Sequence, residues 1–372
     1  MEKVDIAIIG AGVIGLAAAH ALSKLKKEIV VLEKHPAFGQ EASSRNSEVI
    51  HSGIYYPKES LKAKTCIRGK ELLYDLCRKR GIPHKRLGKL VVACDNEGAL
   101  KLDNIYKNAL ACGIKDLRFL DKKEIKKIEP HVSAEKALFV PDTGIIETHA
   151  LMKSLFGAAK ENGADFCFSV KVIGIKKEGS FYEITVKEPR GDFFSFKAKA
   201  VINCAGLWAD EICELAGIDP EKSSYRIHYC KGRYFRIRKP EKFQIRHLVY
   251  PPPTETDLGI HLTPDLAGGL RLGPDTEYVK EINYDVDEGK KMAFLSSVAK
   301  FLPSLEESDL IADTAGIRAK LQARGEPFRD FMIKNEEEKG FPNLINVIGI
   351  ESPGLTGCLA IGERISSCLS IQ

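Results

Sequence analysis

The hydrophobic positions at the start of the chain form a strand, turn, helix and strand pattern. An apolar run over residues 4–9, interrupted by Asp5, predicts a buried strand, and an alanine-rich stretch predicts a helix over residues 13–24. A second apolar run over residues 29–32 predicts the next strand. This order predicts a βαβ unit with parallel strands, which is typical of doubly wound α/β sheets.

Three glycines, Gly10, Gly12 and Gly15, lie in the turn between this strand and this helix. Their G-x-G-x-x-G spacing suits a tight turn, close approach of the backbone to a pyrophosphate and close packing of helix on strand. The N–H groups at the helix start would face the phosphates, and Glu33 follows the second strand where a carboxylate can bind a ribose. Further candidate contacts of this dinucleotide site are Val13, Ile14 and Lys34. The pattern leaves NAD and FAD open.

The rest of the chain alternates between helical and strand-like patterns. Helices are predicted over residues 61–80, 97–111, 121–129 and 149–162. Strands are predicted over residues 87–94, over residues 166–175 and from residue 199 to Ala205 and Gly206, and a hairpin joins residues 181–186 to residues 193–196. Short β-type runs punctuated by glycine and proline, one of them starting at Leu258, predict an antiparallel sheet between residues 225 and 277.

Composition excludes several classes of protein. The 372 residues are 44% hydrophobic and 29% charged, which is ordinary for a globular chain of about two domains. The net charge of +5 comes from scattered basic pairs, and this argues against nucleic-acid binding, which needs a concentrated basic face. The ten cysteines form no C-x-x-C pair and predict reduced, buried thiols with neither disulfides nor a metal site.

The apolar start of the chain contains three glycines and follows two acids, which argues against a cleavable export sequence. No apolar run reaches the length of a membrane span, about 18 residues or more. We therefore expect a cytoplasmic protein, with peripheral contact to the inner face of the membrane left open.

A polar loop follows the second strand. It contains small hydroxyls, an amide and a guanidinium, which suit a pyrophosphate and the polar edge of a flavin ring; these are Ser43, Ser44, Arg45, Asn46 and Ser47. An NAD-binding domain would usually continue directly into another helix and strand at this point.

The fingerprint, together with S-S-R-N-S-E-V-I-H-S-G-I-Y-Y at residues 43–56, resembles the FAD-dependent oxidoreductases of the D-amino-acid oxidase superfamily. Within it, the chain is most similar to the branch of L-2-hydroxyglutarate dehydrogenases and oxidases. The resemblance extends over nearly the whole chain, and E-S-P-G-L-T at residues 351–356 is its most specific motif. A second strand, turn and helix there favours FAD over NAD, because its helix N-terminus suits the edge of a reduced flavin ring. Further cofactor contacts are expected at Val172, Ala205, Gly206, Ser352, Pro353, Gly354, Leu355 and Thr356.

The resemblance implies an α/β fold with a Rossmann-like FAD-binding domain of the glutathione-reductase and D-amino-acid-oxidase type. A substrate domain built on an antiparallel sheet is inserted into it. We expect the FAD-binding domain at residues 1–78, 148–215 and 335–372, and the substrate domain at residues 79–147 and 216–334.

The implied reaction is oxidation of a 2-hydroxy acid, L-2-hydroxyglutarate to 2-oxoglutarate, by hydride transfer to flavin N5. His51 is the candidate base, with a structural role as the rival interpretation, and Arg318 is the candidate partner of a carboxylate. Lys231 and Arg233 would form a second cationic region, apart from Arg318 and Lys320. The substrate-binding candidates are Tyr250, His261, Lys231 and Arg233, and no metal is expected.

Three alternatives share parts of this pattern. An enzyme that oxidises an amino acid, an N-methyl amine or glycerol 3-phosphate would carry the same FAD motifs. An NAD-dependent dehydrogenase and a flavin-binding protein without catalysis are the other two. The electron acceptor is expected to be oxygen or a quinone, and the sequence leaves the oligomeric state open.

Overall fold

The computed structural model describes residues 2–253 and 259–370. The helices are α1 (Val13–Leu22), α2 (Leu61–Arg80), α3 (Asn96–Ala111), α4 (Lys122–Ile128), α5 (Thr148–Glu161), α6 (Ala209–Leu215), α7 (Lys291–Val298) and α8 (Gly354–Ser367). The strands are β1 (Lys3–Ile9), β2 (Ile29–Glu33), β3 (Val49–Ile50), β4 (His84–Lys85), β5 (Lys89–Ala93), β6 (Arg118–Asp121), β7 (Lys136–Val140), β8 (Gly144–Ile146), β9 (Ala164–Phe168), β10 (Lys171–Glu178), β11 (Phe181–Lys187), β12 (Phe193–Asn203), β13 (His228–Ile237), β14 (Leu248–Tyr250), β15 (Leu262–Pro264), β16 (Leu270–Leu272), β17 (Glu277–Val279), β18 (Leu310–Lys320), β19 (Met332–Glu336) and β20 (Phe341–Ile348).

The first sheet has a parallel centre. Strand β1 pairs in parallel with β2 and β12, and parallel β9 and β20 lie beside them. Strands β10, β11 and β19 add antiparallel pairs. Ile6 and Ile8 of β1 face α1, α5 and α8, whereas Ala7 and Ile9 face α6. Helices therefore cover both faces, which explains the continuous apolar run over residues 6–9 of β1.

Among the described residues, the second sheet has nine strands in the order β17-β13-β16-β15-β14-β5-β7-β6, with β18 beside β13. All of its pairs are antiparallel except β14 with β5. Strands β3, β8 and β4 form a third, small sheet. The predicted α/β fold with a separate, largely antiparallel sheet is confirmed.

Three predicted strands were wrong in their limits. The strand predicted over residues 166–175 is two strands, because the chain turns at Ser169, whose φ is +60°. The N–H groups of Ser169 and Val170 donate to the carbonyls of His35 and Glu33, each at 2.9 Å. Conversely, the predicted strand over residues 193–196 and the one predicted from residue 199 to Gly206 are a single strand, β12, which ends at Asn203. The run predicted from Leu258 begins outside the described residues.

The first sheet is built from residues 3–33, 164–203 and 332–348, and the second from residues 89–140 and 228–320. The predicted boundary between residues 334 and 335 falls inside β19. The division into two domains with the limits given above stays a prediction.

All ten cysteines are free thiols, but only six of them are buried as predicted; Cys94, Cys112 and Cys368 are partly exposed, and Cys167 is exposed. Across the described residues, no group of three or more His, Cys, Asp or Glu side chains is placed to hold a metal ion. Within residues 2–253 and 259–370, no helix combines the length and apolar character needed to span a bilayer.

Candidate active site

A large cavity is lined by residues of both main sheets. Its volume is about 1290 Å³, which exceeds the roughly 300–1,000 Å³ of common small-molecule sites. The turn after β1, the polar loop after β2, strands β13 and β18 and the turn before α8 all contribute to its walls. The cavity therefore has room for a dinucleotide together with a small substrate.

The glycine turn after β1 leaves no space for side chains. Gly10 has a φ of +101°, and a Cβ atom there would lie 2.5 Å from the carbonyl oxygen of Cys204. A Cβ atom on Gly15 would lie 1.9 Å from the carbonyl oxygen of Gly10. Gly10 and Gly12 line the cavity, whereas Gly15 lies behind the turn and lets α1 pack on it. The predicted contact of Gly15 with the cofactor is thus replaced by a packing role.

Glu33 ends β2 and is buried, with 8% of its surface exposed. Its carboxylate accepts hydrogen bonds from the N–H groups of Ala11 at 2.7 Å and His35 at 2.9 Å. It therefore fixes the glycine turn to the end of β2 while it lines the cavity. Its contact with a ribose stays a prediction.

The polar loop after β2 reaches the start of α1. Ser43 Oγ accepts a hydrogen bond from the N–H of Val13 at 2.9 Å, and Val13 and Ile14 line the cavity beside it. Ser44 points elsewhere, and its hydroxyl donates to the carbonyl of Glu41 at 3.1 Å. Ser44 therefore does not line the cavity, contrary to the prediction for this loop.

Arg45, Asn46 and Ser47 line the cavity next to Ser43. The Arg45 guanidinium lies 4.0 Å from the centroid of the Tyr284 ring, and its buried Nε has no hydrogen-bond partner among the described residues. A buried donor of this kind is costly unless an acceptor satisfies it. Together with the glycine turn and the N-terminus of α1, it fits the pyrophosphate of the predicted FAD.

Lys34 covers another part of the cavity wall. Its Nζ lies 2.7 Å from the centroid of the Trp208 ring, and burial lowers the pKa of Lys34 to about 8. Val172, Ala205 and Gly206 line the cavity in the same region. This region adjoins Glu33, and its contact with the adenosine half of the cofactor stays a prediction.

The turn before α8 holds the backbone of His51. Thr356 is fully buried, and its Oγ1 accepts from the N–H of His51 at 3.0 Å and donates to the carbonyl of Val49 at 3.2 Å. Thr356 therefore does not line the cavity, although it was a predicted cofactor contact. The other predicted contacts of this turn do line it; they are Ser352, Pro353, Gly354 and Leu355.

The His51 side chain lines the cavity and lies within reach of Ser352, with 3.3 Å between Nε2 and Oγ. Burial, with a smaller effect of the nearby Lys89, lowers the pKa of His51 to about 3. The imidazole is therefore neutral at physiological pH, which is the form that can accept a proton.

Arg318 of β18 also lines the cavity. Its guanidinium donates to the carbonyl of Asp275 at 3.0 Å and contacts Cys230 Sγ at 3.4 Å. A Cβ atom on Gly232, in the neighbouring strand β13, would lie 2.9 Å from Arg318 Nη2. Glycine at this position leaves the guanidinium the space that it occupies.

Lys231 and Arg233, predicted to bind substrate, do not line the cavity. Strand side chains alternate between faces, and in β13 it is Gly232 and Tyr234 that line the cavity. Arg233 instead forms ion pairs with Asp275 at 2.8 Å and with Glu277, and Lys231 Nζ donates to Asn283 Oδ1 at 3.2 Å. Their assignment to the substrate is corrected for this reason.

Tyr250 and His261 both line the cavity and stack on one another. Their ring centroids are 3.5 Å apart, and the ring planes differ by 9°. The structure therefore brings these two substrate-binding candidates to the same wall, and their contact with a substrate stays a prediction.

A buried ionic cluster at the cavity includes Lys62, which the sequence analysis did not identify as part of the site. Glu351 Oε1 lies 2.8 Å from Lys62 Nζ and 3.6 Å from Lys320 Nζ. Burial alone would raise the pKa of Glu351, but Lys62, Lys320 and Arg318 outweigh it and hold that pKa below its usual value. Lys62 lies in the first turn of α2, where the helix dipole disfavours a cation, and this was the available signal.

Comparisons with known proteins agree with these features. The family model described as FAD dependent oxidoreductase (DAO) matches residues 5–367. The mitochondrial L-2-hydroxyglutarate dehydrogenase of Arabidopsis thaliana is 37% identical to this chain, over 98% of the chain and 83% of the relative. The human mitochondrial L-2-hydroxyglutarate dehydrogenase is 33% identical, over 97% of the chain and 88% of the relative.

Solved structures show the same fold. Dithionite-reduced L-alpha-glycerophosphate oxidase from Mycoplasma pneumoniae, with FAD bound, matches with a TM-score of 0.90 at 29% identity, over 100% of this chain and 96% of that chain. Glycine oxidase from Geobacillus kaustophilus matches with a TM-score of 0.81 at 22% identity, over 99% and 95% of the two chains.

Proposed function

Since this chain belongs to the family of FAD-dependent oxidoreductases of the D-amino-acid oxidase type and uses FAD as its cofactor, we propose that it oxidises L-2-hydroxyglutarate to 2-oxoglutarate. The names of its relatives support this substrate. The observation that carries the proposal is the charge of the buried cluster beside the cavity.

That cluster carries more positive than negative charge. Lys62, Lys320 and Arg318 surround one carboxylate, Glu351, so two positive charges within the cluster remain uncompensated. Uncompensated charges away from water are costly, and an incoming dianion would neutralise them. A five-carbon 2-hydroxy diacid has this charge, whereas lactate or an amine does not.

The protein residues would then divide the work. Arg318 presents a planar fork that matches a carboxylate in two hydrogen bonds, and Lys320 and Lys62 supply the second positive region. Neutral His51 takes the proton of the substrate hydroxyl on Nε2. FAD, when bound, supplies the hydride acceptor at its N5 position.

The direct test is anaerobic mixing of the FAD-loaded protein with a panel of substrates while the flavin absorbance is followed. We expect L-2-hydroxyglutarate to bleach the flavin faster than L-lactate, amino acids or N-methyl amines. Glycerol 3-phosphate is the second candidate, because a phosphate dianion also matches the charge and the Mycoplasma oxidase is structurally similar. Faster bleaching by glycerol 3-phosphate would assign that substrate, and faster bleaching by an amine would contradict the proposal.

Replacing Lys320 with methionine should change substrate preference. We expect kcat/KM for L-2-hydroxyglutarate to fall roughly 30-fold, which corresponds to a loss of about 2 kcal/mol in transition-state stabilisation. The reason is that the second carboxylate of the substrate would lose its buried partner. The value for L-lactate should fall less, so the advantage of the diacid narrows. Lys334→Met is the control, because Lys334 lies on β19 and its side chain is 40% exposed. It should leave kcat/KM unchanged for both L-2-hydroxyglutarate and L-lactate. An equal loss for both acids would contradict a role in binding the second carboxylate.

Trp208 should report binding of the cofactor, because it is the single tryptophan and lines the cavity. We expect its fluorescence in the apoprotein to fall when FAD is added and to recover when FAD is released. FMN at the same concentration should leave the emission unchanged, since it lacks the adenosine half that we place beside Trp208 and Lys34. Equal quenching by FMN would contradict that placement.

Oxygen and a quinone are the two proposed electron acceptors. Rapid reoxidation of the reduced enzyme in air would favour oxygen. Slow reoxidation in air, together with rapid reoxidation by a soluble quinone, would favour a quinone as the acceptor.

A further inference from the structure

One buried lysine near the cavity has no role in the chemistry described so far. Lys89, the first residue of β5, is fully buried, and its Nζ has no hydrogen-bond partner among the described residues. The amine lies 4.3 Å from the ring centroid of Tyr55 and 4.7 Å from that of Tyr250. Both tyrosines line the cavity, so Lys89 lies directly behind its wall.

The surroundings of Lys89 balance two opposed effects. Burial disfavours the ammonium form and lowers the pKa of Lys89 to about 7. Two aromatic rings favour the ammonium through cation–π contacts, which strengthen when water is excluded. The groups that face the amine are His51 and Tyr55 from the segment after β3, Cys66 from α2 and Tyr250 from β14.

None of these neighbours supplies a negative charge near neutral pH. Burial raises the pKa of Cys66 to about 12, and it raises the pKa values of Tyr250 and Tyr55 well above their usual value. Among the described residues, Lys89 forms no salt bridge. No carboxylate is among the groups that shift the pKa of Lys89, so an anion bound in the cavity would supply an opposite charge that its surroundings lack.

We propose that Lys89 is the charge-compensating residue of the substrate cavity, whose amine takes up a proton when an anionic substrate binds behind the wall formed by Tyr55 and Tyr250. The ammonium then stabilises the bound anion across that wall. The inference rests on the proposed function only in requiring an anionic substrate.

The direction of the effect follows from linkage. Just above neutral pH, the amine of the substrate-free enzyme is mostly unprotonated. A nearby anion favours the ammonium and raises this pKa, so binding draws a proton from solution in the pH range between the two values. The affinity for the anion should accordingly weaken as pH rises through this range.

The test uses the FAD-loaded enzyme and glutarate, a diacid without a hydroxyl to oxidise. Binding is followed by the perturbation of the flavin spectrum, and proton uptake by calorimetry in two buffers of different ionisation enthalpy at about pH 8, where both glutarate carboxyls are ionised. We expect the wild-type enzyme to take up a large fraction of one proton per glutarate bound. Lys89→Met should lose this uptake and bind glutarate on the order of tenfold more weakly. Lys85→Met, at an exposed lysine of the neighbouring strand β4, should behave as wild type.

A second variant and a wild-type measurement make the test independent of how Lys89→Met folds. Lys89→Arg keeps a permanent charge, and we expect it to bind glutarate without proton uptake. In the wild-type enzyme, the Kd for glutarate should rise between about pH 7 and 9, approaching tenfold per pH unit. Unchanged proton uptake in either variant, or a wild-type Kd independent of pH, overturns this inference alone. If glutarate fails to bind the wild-type enzyme at all, the proposed diacid function falls together with it.

Discussion

Replacing His51 with asparagine is expected to slow reduction of the bound flavin by roughly 100-fold or more, as loss of a general base typically does. Asparagine retains polar atoms near Ser352 Oγ but cannot accept the proton of a hydroxyl group. The hydrogen bond from the backbone N–H of residue 51 to Thr356 remains available in the variant. The position of the loop should therefore survive, and the measurement isolates the imidazole.

Stopped-flow reduction under anaerobic conditions measures the rate, and the flavin spectrum of the variant controls for cofactor retention. Because the pKa of His51 lies at about 3, the wild-type imidazole is neutral above that pH. No acid limb from His51 should therefore appear in the rate between about pH 5 and 8. Reduction of the variant at the wild-type rate, with flavin bound, would leave His51 a structural role only.

The Arg318→Ala variant should show a lower kcat/KM for every 2-hydroxy acid, equivalent to a loss of about 2 to 4 kcal/mol in transition-state stabilisation. The loss arises because a buried substrate carboxylate would have no partner. Arg318→Lys should recover only part of this loss, since an ammonium cannot form the two parallel hydrogen bonds of a guanidinium. The space that Gly232 leaves open is occupied by the guanidinium itself.

Arg236→Ala is a matched control, because Arg236 lies on β13 and its side chain is 55% exposed. It should leave kcat/KM nearly unchanged for both L-2-hydroxyglutarate and L-lactate. A loss for Arg318→Ala that is confined to the diacid would contradict the assignment of Arg318 to the carboxylate shared by all 2-hydroxy acids.

The part of the site nearest the N-terminus could be predicted from sequence because its contacts are local. Gly10, Gly12 and Glu33 belong to one βαβ unit, so their spacing along the chain fixes their positions in space. The final turn before α8 was found for the same reason. These two local patterns together predicted FAD, and the match to the FAD-dependent oxidoreductase family and to an FAD-bound structure confirms it.

The prediction of site residues failed where contacts between distant segments of the chain determine which way a side chain points. The register of β13 against β18 determines which face each side chain occupies, and it turns Lys231 and Arg233 away from the cavity. Lys62 reaches the site only because α2 packs on α8, next to Glu351. The turn at Ser169 likewise depends on bonds to residues 33 and 35 of a distant strand end. Only Lys62 left a local signal, as a cation in the first turn of a helix, and the other arrangements have no signature within a short stretch of sequence.

The hydrogen bond from the backbone N–H of His51 to Thr356 Oγ1 has a consequence for biosynthesis. The ribosome makes the glycine turn and His51 early, whereas Thr356, Glu351 and β20 are made about 300 residues later, at a typical 5–20 residues per second. For many seconds, the glycine turn and His51 therefore exist in the nascent chain without Thr356, which holds the backbone of His51 in the folded protein. Stable loading of the cofactor should accordingly follow synthesis of α8, and nascent chains arrested before residue 344 should retain little FAD.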